Sequence, residues 1–122
     1  MDNGIHLTGN LTRDPELSFG NSGTAITKMG VAINNRRKND ATGEWEGGDP
    51  KIFDVTCFGT LAENVAESLE RGMRVTLNGK LDYQTWEKDG ERRSKVLVVA
   101  DSVGPDLRWS TAKVERSQPS SQ

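Results

Sequence analysis

The chain has 122 residues, 33% of them hydrophobic and 28% charged, with a formal net charge of −2. That length suits one domain with a small core, and so thin a core favours a barrel that closes its own edges, or an oligomer, over a large layered fold. No apolar run approaches the length of a membrane span, no secretory pattern opens the chain, and the single Cys57 excludes an internal disulfide, so a cytoplasmic protein with a buried, inert thiol is expected.

Residues 4–11 alternate Ile5, Leu7 and Leu11 against His6, Thr8 and Asn10, which predicts a strand with Gly9 at a bend. Asp14-Pro15 starts a turn that leads into a short extended piece, and residues 21–23 form another turn. Residues 25–37 read as a long strand, with Met29, Val31 and Ile33 on one face and Lys28, Asn34 and Arg36 on the other. Residues 38–50 are polar and turn-rich, a long loop or an extended hairpin tip. Trp45, between Glu44 and Glu46, fits packing as well as stacking. Lys28, Arg36, Arg37 and Lys38 have no acidic residue among them, and Asp40, Glu44, Glu46 and Asp49 follow with no basic one. A local field depends on where charges sit, so a basic groove is compatible with a negative total.

Residues 51–58 form the next strand, with Phe53, Val55 and Cys57 in one phase and Ile52, Thr56 and Phe58 in the other. Phe58 therefore faces away from the presumed core. A helix is predicted over 60–72 from Leu61, Val65 and Leu69, widened by Ala62 and Ala66, with Thr60 and Glu63 at capping-box spacing and Gly72 as its stop. A hairpin follows, turning at Asp89-Gly90. Its odd positions carry Val75, Leu77, Leu81 and Tyr83, and its even positions carry Thr76, Asn78, Lys80, Asp82, Gln84 and then Trp86, which puts the ring on the polar face. Tyr83, in the core phase, reads as structural. Residues 95–103 are apolar on both faces, as for burial against the helix or a second subunit. Residues 104–114 are read as a short edge segment. The domain is expected over 1–109 and a disordered tail over 110–122.

This order predicts an all-β fold with one helix, the five-stranded antiparallel Greek-key barrel of the OB-fold, whose second and third strands recurrently bind oligonucleotides. One histidine and one cysteine build no familiar metal site, and no phosphate-binding glycine loop is present, so neither enzyme nor cofactor is expected. His6 is read as satisfied by local hydrogen bonds, and Asp54 as a salt-bridge partner rather than a base.

The stretches LTGNLTRDPEL (7–17), ATGEW (41–45), FGTLAENVAESLERG (58–72) and LNGKL (77–81), in this order and spacing, resemble the bacterial-type single-stranded DNA-binding proteins. The resemblance runs from about Ile5 to Val103. It implies sequence-tolerant binding of single-stranded DNA by a homotetramer that wraps the strand outside its barrels, in replication, recombination or repair. It also implies base stacking on Phe58 and Trp86, with Ile52 and Phe53 as further stacking candidates. Ile52, beside Phe53, stands at one further aromatic position of the family, and Arg37 stands near another, so the chain is expected to stack fewer bases and lean more on arginine. Phosphate contacts are expected from Lys28, Arg36, Arg37, Lys80, Arg92 and Arg93, with Lys95 beside them. The segment VGPDLRW (103–109) resembles an added interfacial strand in one branch of the family, which makes Trp109 an interface candidate. The family's acidic C-terminal tip is not matched by SQPSSQ, which leaves recruitment of replication and repair proteins open. Two rival readings are an OB-fold oligomerisation or protein-interaction accessory and a single-stranded RNA binder.

Overall fold

A computed structural model of the chain describes residues 4–33, 37–46 and 50–117. Its strands are β1 (Gly4–Leu11), β2 (Glu16–Phe19), β3 (Ala25–Ile33), β4 (Arg37–Lys38), β5 (Trp45–Glu46) and β6 (Lys51–Phe58), then helix α1 (Gly59–Ser68), then β7 (Arg74–Lys88) and β8 (Glu91–Pro105). The main sheet has six strands in the order β1-β7-β8-β6-β3-β2, and pairing of Asn10 and Leu11 with Ala32 and Val31 closes β1 onto β3. Omitting the short β2, the circuit β1-β3-β6-β8-β7 is that of an OB-fold barrel. One pairing departs from the antiparallel expectation: β6 and β8 run parallel through Val55↔Val98 and Thr56↔Val99. α1 connects β6 to β7 and packs against β3, β6, β8 and β2. The polar stretch after β3 is the extended hairpin β4–β5, with Arg37 opposite Glu46 and Lys38 opposite Trp45.

Alternation along the strands selects the core. Ala25, Met29 and Val31 of β3, Val55 and Cys57 of β6, Val75 and Leu77 of β7, and Val98 and Ala100 of β8 meet Leu11 of β1, Ala62 and Val65 on one side of α1, and Leu69 just past its end. Thr27, also fully buried, donates its Oγ1 hydrogen bond to Ala62 O at 2.7 Å, fastening β3 to the helix. Burial raises the Cys57 thiol to a pKa of about 11.

The helix is shorter than its periodicity and caps indicate. Phe58, not Thr60, is its N-cap, with no side-chain capping bond, and Thr60 lies in the first turn. At the other end Leu69 leaves helical geometry, its N–H bonding to Val65 O, and turns its side chain into the core. The stop is thus set by burial of Leu69 and by docking of the next loop. Gly72 N–H bonds to Leu11 O at 2.9 Å, and Arg71 N–H donates to Asp14 Oδ1 at 2.8 Å.

The β7–β8 hairpin pairs continuously from Val75↔Pro105 to Lys88↔Glu91. Asp89 and Gly90 both have positive φ, 53° and 80°, as a two-residue mirror-image turn requires. Asn78 pairs with Ser102 but Gly79 with Ala100, so Asp101 is an extra residue in β8. At this bulge a Cβ on Gly79 would stand 2.3 Å from Val99 O, which only glycine avoids. Beyond the bulge the hairpin outruns the barrel, which changes the fate of the core phase. Leu81, Tyr83 and Val96 keep the parity of buried Leu77 and Val98 yet are exposed, Tyr83 by 65%. Tyr83 is therefore not a core residue. β8 itself extends to Pro105, and among the described residues no separate edge strand follows it. Residues 110–117 have no repeating secondary structure, and Ser117 Oγ bonds to Asn64 Oδ1 of α1 at 3.1 Å.

Candidate nucleic-acid interface

The outward phase of four neighbouring strands makes one continuous face. On β3 and β6 the register sets Ile26 opposite Phe58, Lys28 opposite Thr56, Gly30 opposite Asp54 and Ala32 opposite Ile52. The parallel seam sets Thr56 beside Val99, and the β7–β8 ladder sets Lys80 against Val99, Asp82 against Leu97, Gln84 against Lys95 and Trp86 against Arg93. A shallow cleft of about 290 Å³ runs across this face, lined by Lys28, Thr56, Phe58, Gln84, Lys95 and Leu97 among others. Trp86 lies one two-residue step beyond Gln84, about 7 Å further along the arm.

Two rings and one aliphatic side chain on this face are available. Phe58 is 46% exposed, Trp86 43% and Ile52 61%. Such area is left uncovered although apolar, which is the condition a stacking surface needs. Phe53 is placed otherwise: it pairs with Val31 in the inward phase and is half-buried, so it does not join Ile52 and Phe58 on the outer face.

The basic residues divide. Lys28 is exposed on the cleft, and Lys95 lines it across the seam. Arg93 faces outward beside Trp86, its Nη2 3.5 Å from Glu91 Oε2, whereas Arg92 pairs with Glu87 and so emerges on the opposite face of the arm with Tyr83. Lys80 has the outward parity but borders a separate hollow with His6, Asn78 and Asp101. There His6 Nδ1 lies 3.0 Å from Asn78 Oδ1, and its Nε2 3.2 Å from Thr8 Oγ1. Arg36 and the side chain of Arg37 lie outside the described residues, as does the side chain of Trp45. The cleft also holds groups not expected from sequence as part of a binding face: Arg13, Asp54, Asp82 and Gln84. Strand parity marks the last three as outward. Their convergence depends on β6 lying beside β8.

Trp109 stands apart from this face. Its ring is flanked by two guanidiniums, Arg74 Cζ at 5.0 Å and Arg108 Cζ at 4.7 Å from the centroid, and remains 68% exposed. Arg74 Nε also donates to Asp106 Oδ2 at 2.7 Å, and this bond, with that from Arg108 N–H, holds the Asp106 carboxyl below the usual carboxylate range. The cluster borders a cavity of about 900 Å³ between α1 and residues 109–115 that shares no residue with the cleft. Among the described residues no group of histidine, cysteine and carboxylate side chains could hold a metal ion, and no helix is long and apolar enough to cross a membrane.

The model of the single-strand binding protein family matches residues 2–106. A protein of Mycobacterium tuberculosis named single-stranded DNA-binding protein is 42% identical over 120 residues, spanning 98% of this chain and 73% of its own length. Its namesake in Corynebacterium glutamicum is 42% identical over 117 residues, 95% of this chain and 52% of its own. Among solved structures, a small single-stranded DNA-binding protein from Streptomyces coelicolor superposes with a TM-score of 0.74 over 88% of this chain and 96% of its own, a likeness of fold at 24% identity. A deletion mutant of the single-stranded DNA binding protein from Thermus aquaticus gives 0.72 at 32% identity, over 87% of this chain and 51% of its own.

Proposed function

Because the chain belongs to the single-strand binding protein family, we propose that it binds single-stranded DNA without sequence preference and without catalysis, laying bases on Trp86, Phe58 and Ile52 and phosphates on Lys28, Lys80, Lys95 and Arg93. The observation that carries the reading is the shared outward phase of Phe58 and Trp86, two exposed rings on one face with lysines between them. Every base offers a π-face, so rings spaced along a basic track hold a strand whatever its sequence. The working unit is a homotetramer in the cytoplasm that protects exposed strands in replication, recombination or repair, and Trp109 lies at a contact between its subunits.

Titration with oligo-dT tests the binding: tryptophan fluorescence falls and saturates at a fixed stoichiometry, whereas a protein-interaction accessory shows no quenching. Competition with oligo-U of equal length tests the preference for DNA. Affinity declines with salt by about 0.7 log units per decade for each phosphate neutralised. Light scattering at micromolar concentration gives four times the chain mass, and a monomer mass removes the tetramer.

A further inference from the structure

The strand-binding face carries carboxylates, which a polyanion does not call for. Lys95 Nζ is 3.2 Å from Asp54 Oδ2 across the β6–β8 seam, with the two side chains 47% and 45% exposed. In the same cleft Gln84 Nε2 donates to Asp82 Oδ2 at 3.2 Å, and Arg13 Nε is 3.3 Å from Glu16 Oε1. Lys28, by contrast, has no ion pair among the described residues. A purely structural purpose for the Asp54 pair is weak, because half-exposed ion pairs add little to folding. Its effect on a bound strand is larger. A phosphate passing over Lys95 must take the ammonium from Asp54 and then leave that carboxylate unpaired beside the polyanion.

Resting on the single-strand-binding reading, we propose that Asp54 sets the affinity of the face by competing with DNA phosphate for Lys95. While the pair is intact, Lys95 and Asp54 together present no net charge to the strand and release no counterion from it. Binding at this point is an exchange of one anion for another. The arrangement keeps the strand displaceable without altering the rings that hold its bases.

The test measures binding of fluorescein-labelled oligo-dT by anisotropy from 50 to 500 mM NaCl, for the wild-type chain, Asp54→Asn, Lys95→Met and the double variant. Asp54→Asn binds about ten-fold tighter at 50 mM, and its log K against log salt slope is steeper by about 0.7, one more neutralised phosphate. The advantage therefore shrinks to about two-fold at 500 mM by the same slope. In the Lys95→Met background the substitution gains about three-fold or less, the through-space repulsion alone. If wild type binds but Asp54→Asn matches it in affinity and slope, or gains as much without Lys95, the competition does not exist. If wild type binds no oligo-dT at any salt, the parent reading fails first and this one with it. Thermal melting accompanies each variant, with Asp54→Ser as the alternative should the asparagine destabilise the fold; unfolding of both would make Asp54 structural and overturn the proposal.

Discussion

Trp86→Ala removes the largest ring on the outer face of the β7–β8 arm, and its effects on binding and on folding are expected to separate. Trp86 is 43% exposed, which for a side chain of up to about 250 Å² leaves on the order of 100 Å² that a base can cover. At about 25 cal/mol per Å² the full area corresponds to roughly 2.5 kcal/mol, and one base lying on one face of the ring realises about 1–2 kcal/mol of it. Single-strand affinity should thus fall about five- to thirty-fold. On the folding side Trp86 is outside the core cluster, and its partner across the ladder is Arg93, a contact worth up to about 1 kcal/mol. The melting temperature should fall by no more than about 5 °C. Anisotropy with labelled oligo-dT gives the first quantity, and circular dichroism melting the second. Phe58→Ala should follow the same pattern with a larger folding cost, since Phe58 is the N-cap residue of α1 and is more than half buried. A Trp86→Ala variant that melts the domain or has a lower mass by light scattering than wild type, at unchanged affinity per folded site, would make Trp86 a structural residue and not a stacking one.

Other perturbations should act elsewhere. Val55→Ala, at a residue 1% exposed, opens a cavity in the barrel and should cost about 1–3 kcal/mol in denaturant unfolding, with affinity lost only in step with unfolding. Thr27→Val removes the bond to Ala62 O and should lower unfolding free energy by about 1 kcal/mol without shifting oligo-dT affinity. The depressed Asp106 pKa means that its carboxylate favours the folded state above the ordinary aspartate pKa near 3.9, and that this contribution fades as pH falls through the lower folded value. The melting-temperature gap between wild type and Asp106→Asn should accordingly be steady from pH 7 to about 5 and close below about 4; a gap that widened in acid would contradict the assignment. Cys57, raised to about 11, should resist a thiol reagent at pH 8 until the chain unfolds, and rapid labelling of the native protein would show that the barrel opens there.

The outward phase of Phe58 and Trp86 was legible in the sequence because side-chain direction along a strand follows from local backbone geometry alone, and the alternation that places Trp86 survives from Val75 to Lys88. The same local physics marks the Asp89-Gly90 turn and the existence of α1. The parity that sets Phe53 inward was equally readable, and only its neighbour Ile52 stands on the outer face. What needed the tertiary structure was every property that depends on which strand lies beside which. Residue parity does not reveal that β6 and β8 run parallel and adjacent, so it cannot bring Asp54 to Lys95 across 41 positions of chain. Nor does periodicity reveal that the hairpin projects past the barrel, where a core-phase Tyr83 finds no core, or that Leu69 leaves α1 before Gly72 because its burial outweighs continuing the helix. Alternation and turn chemistry act between residues a few positions apart, whereas barrel closure is decided by contacts between segments far apart in the chain, whose free energy is realised only when all of them are in place.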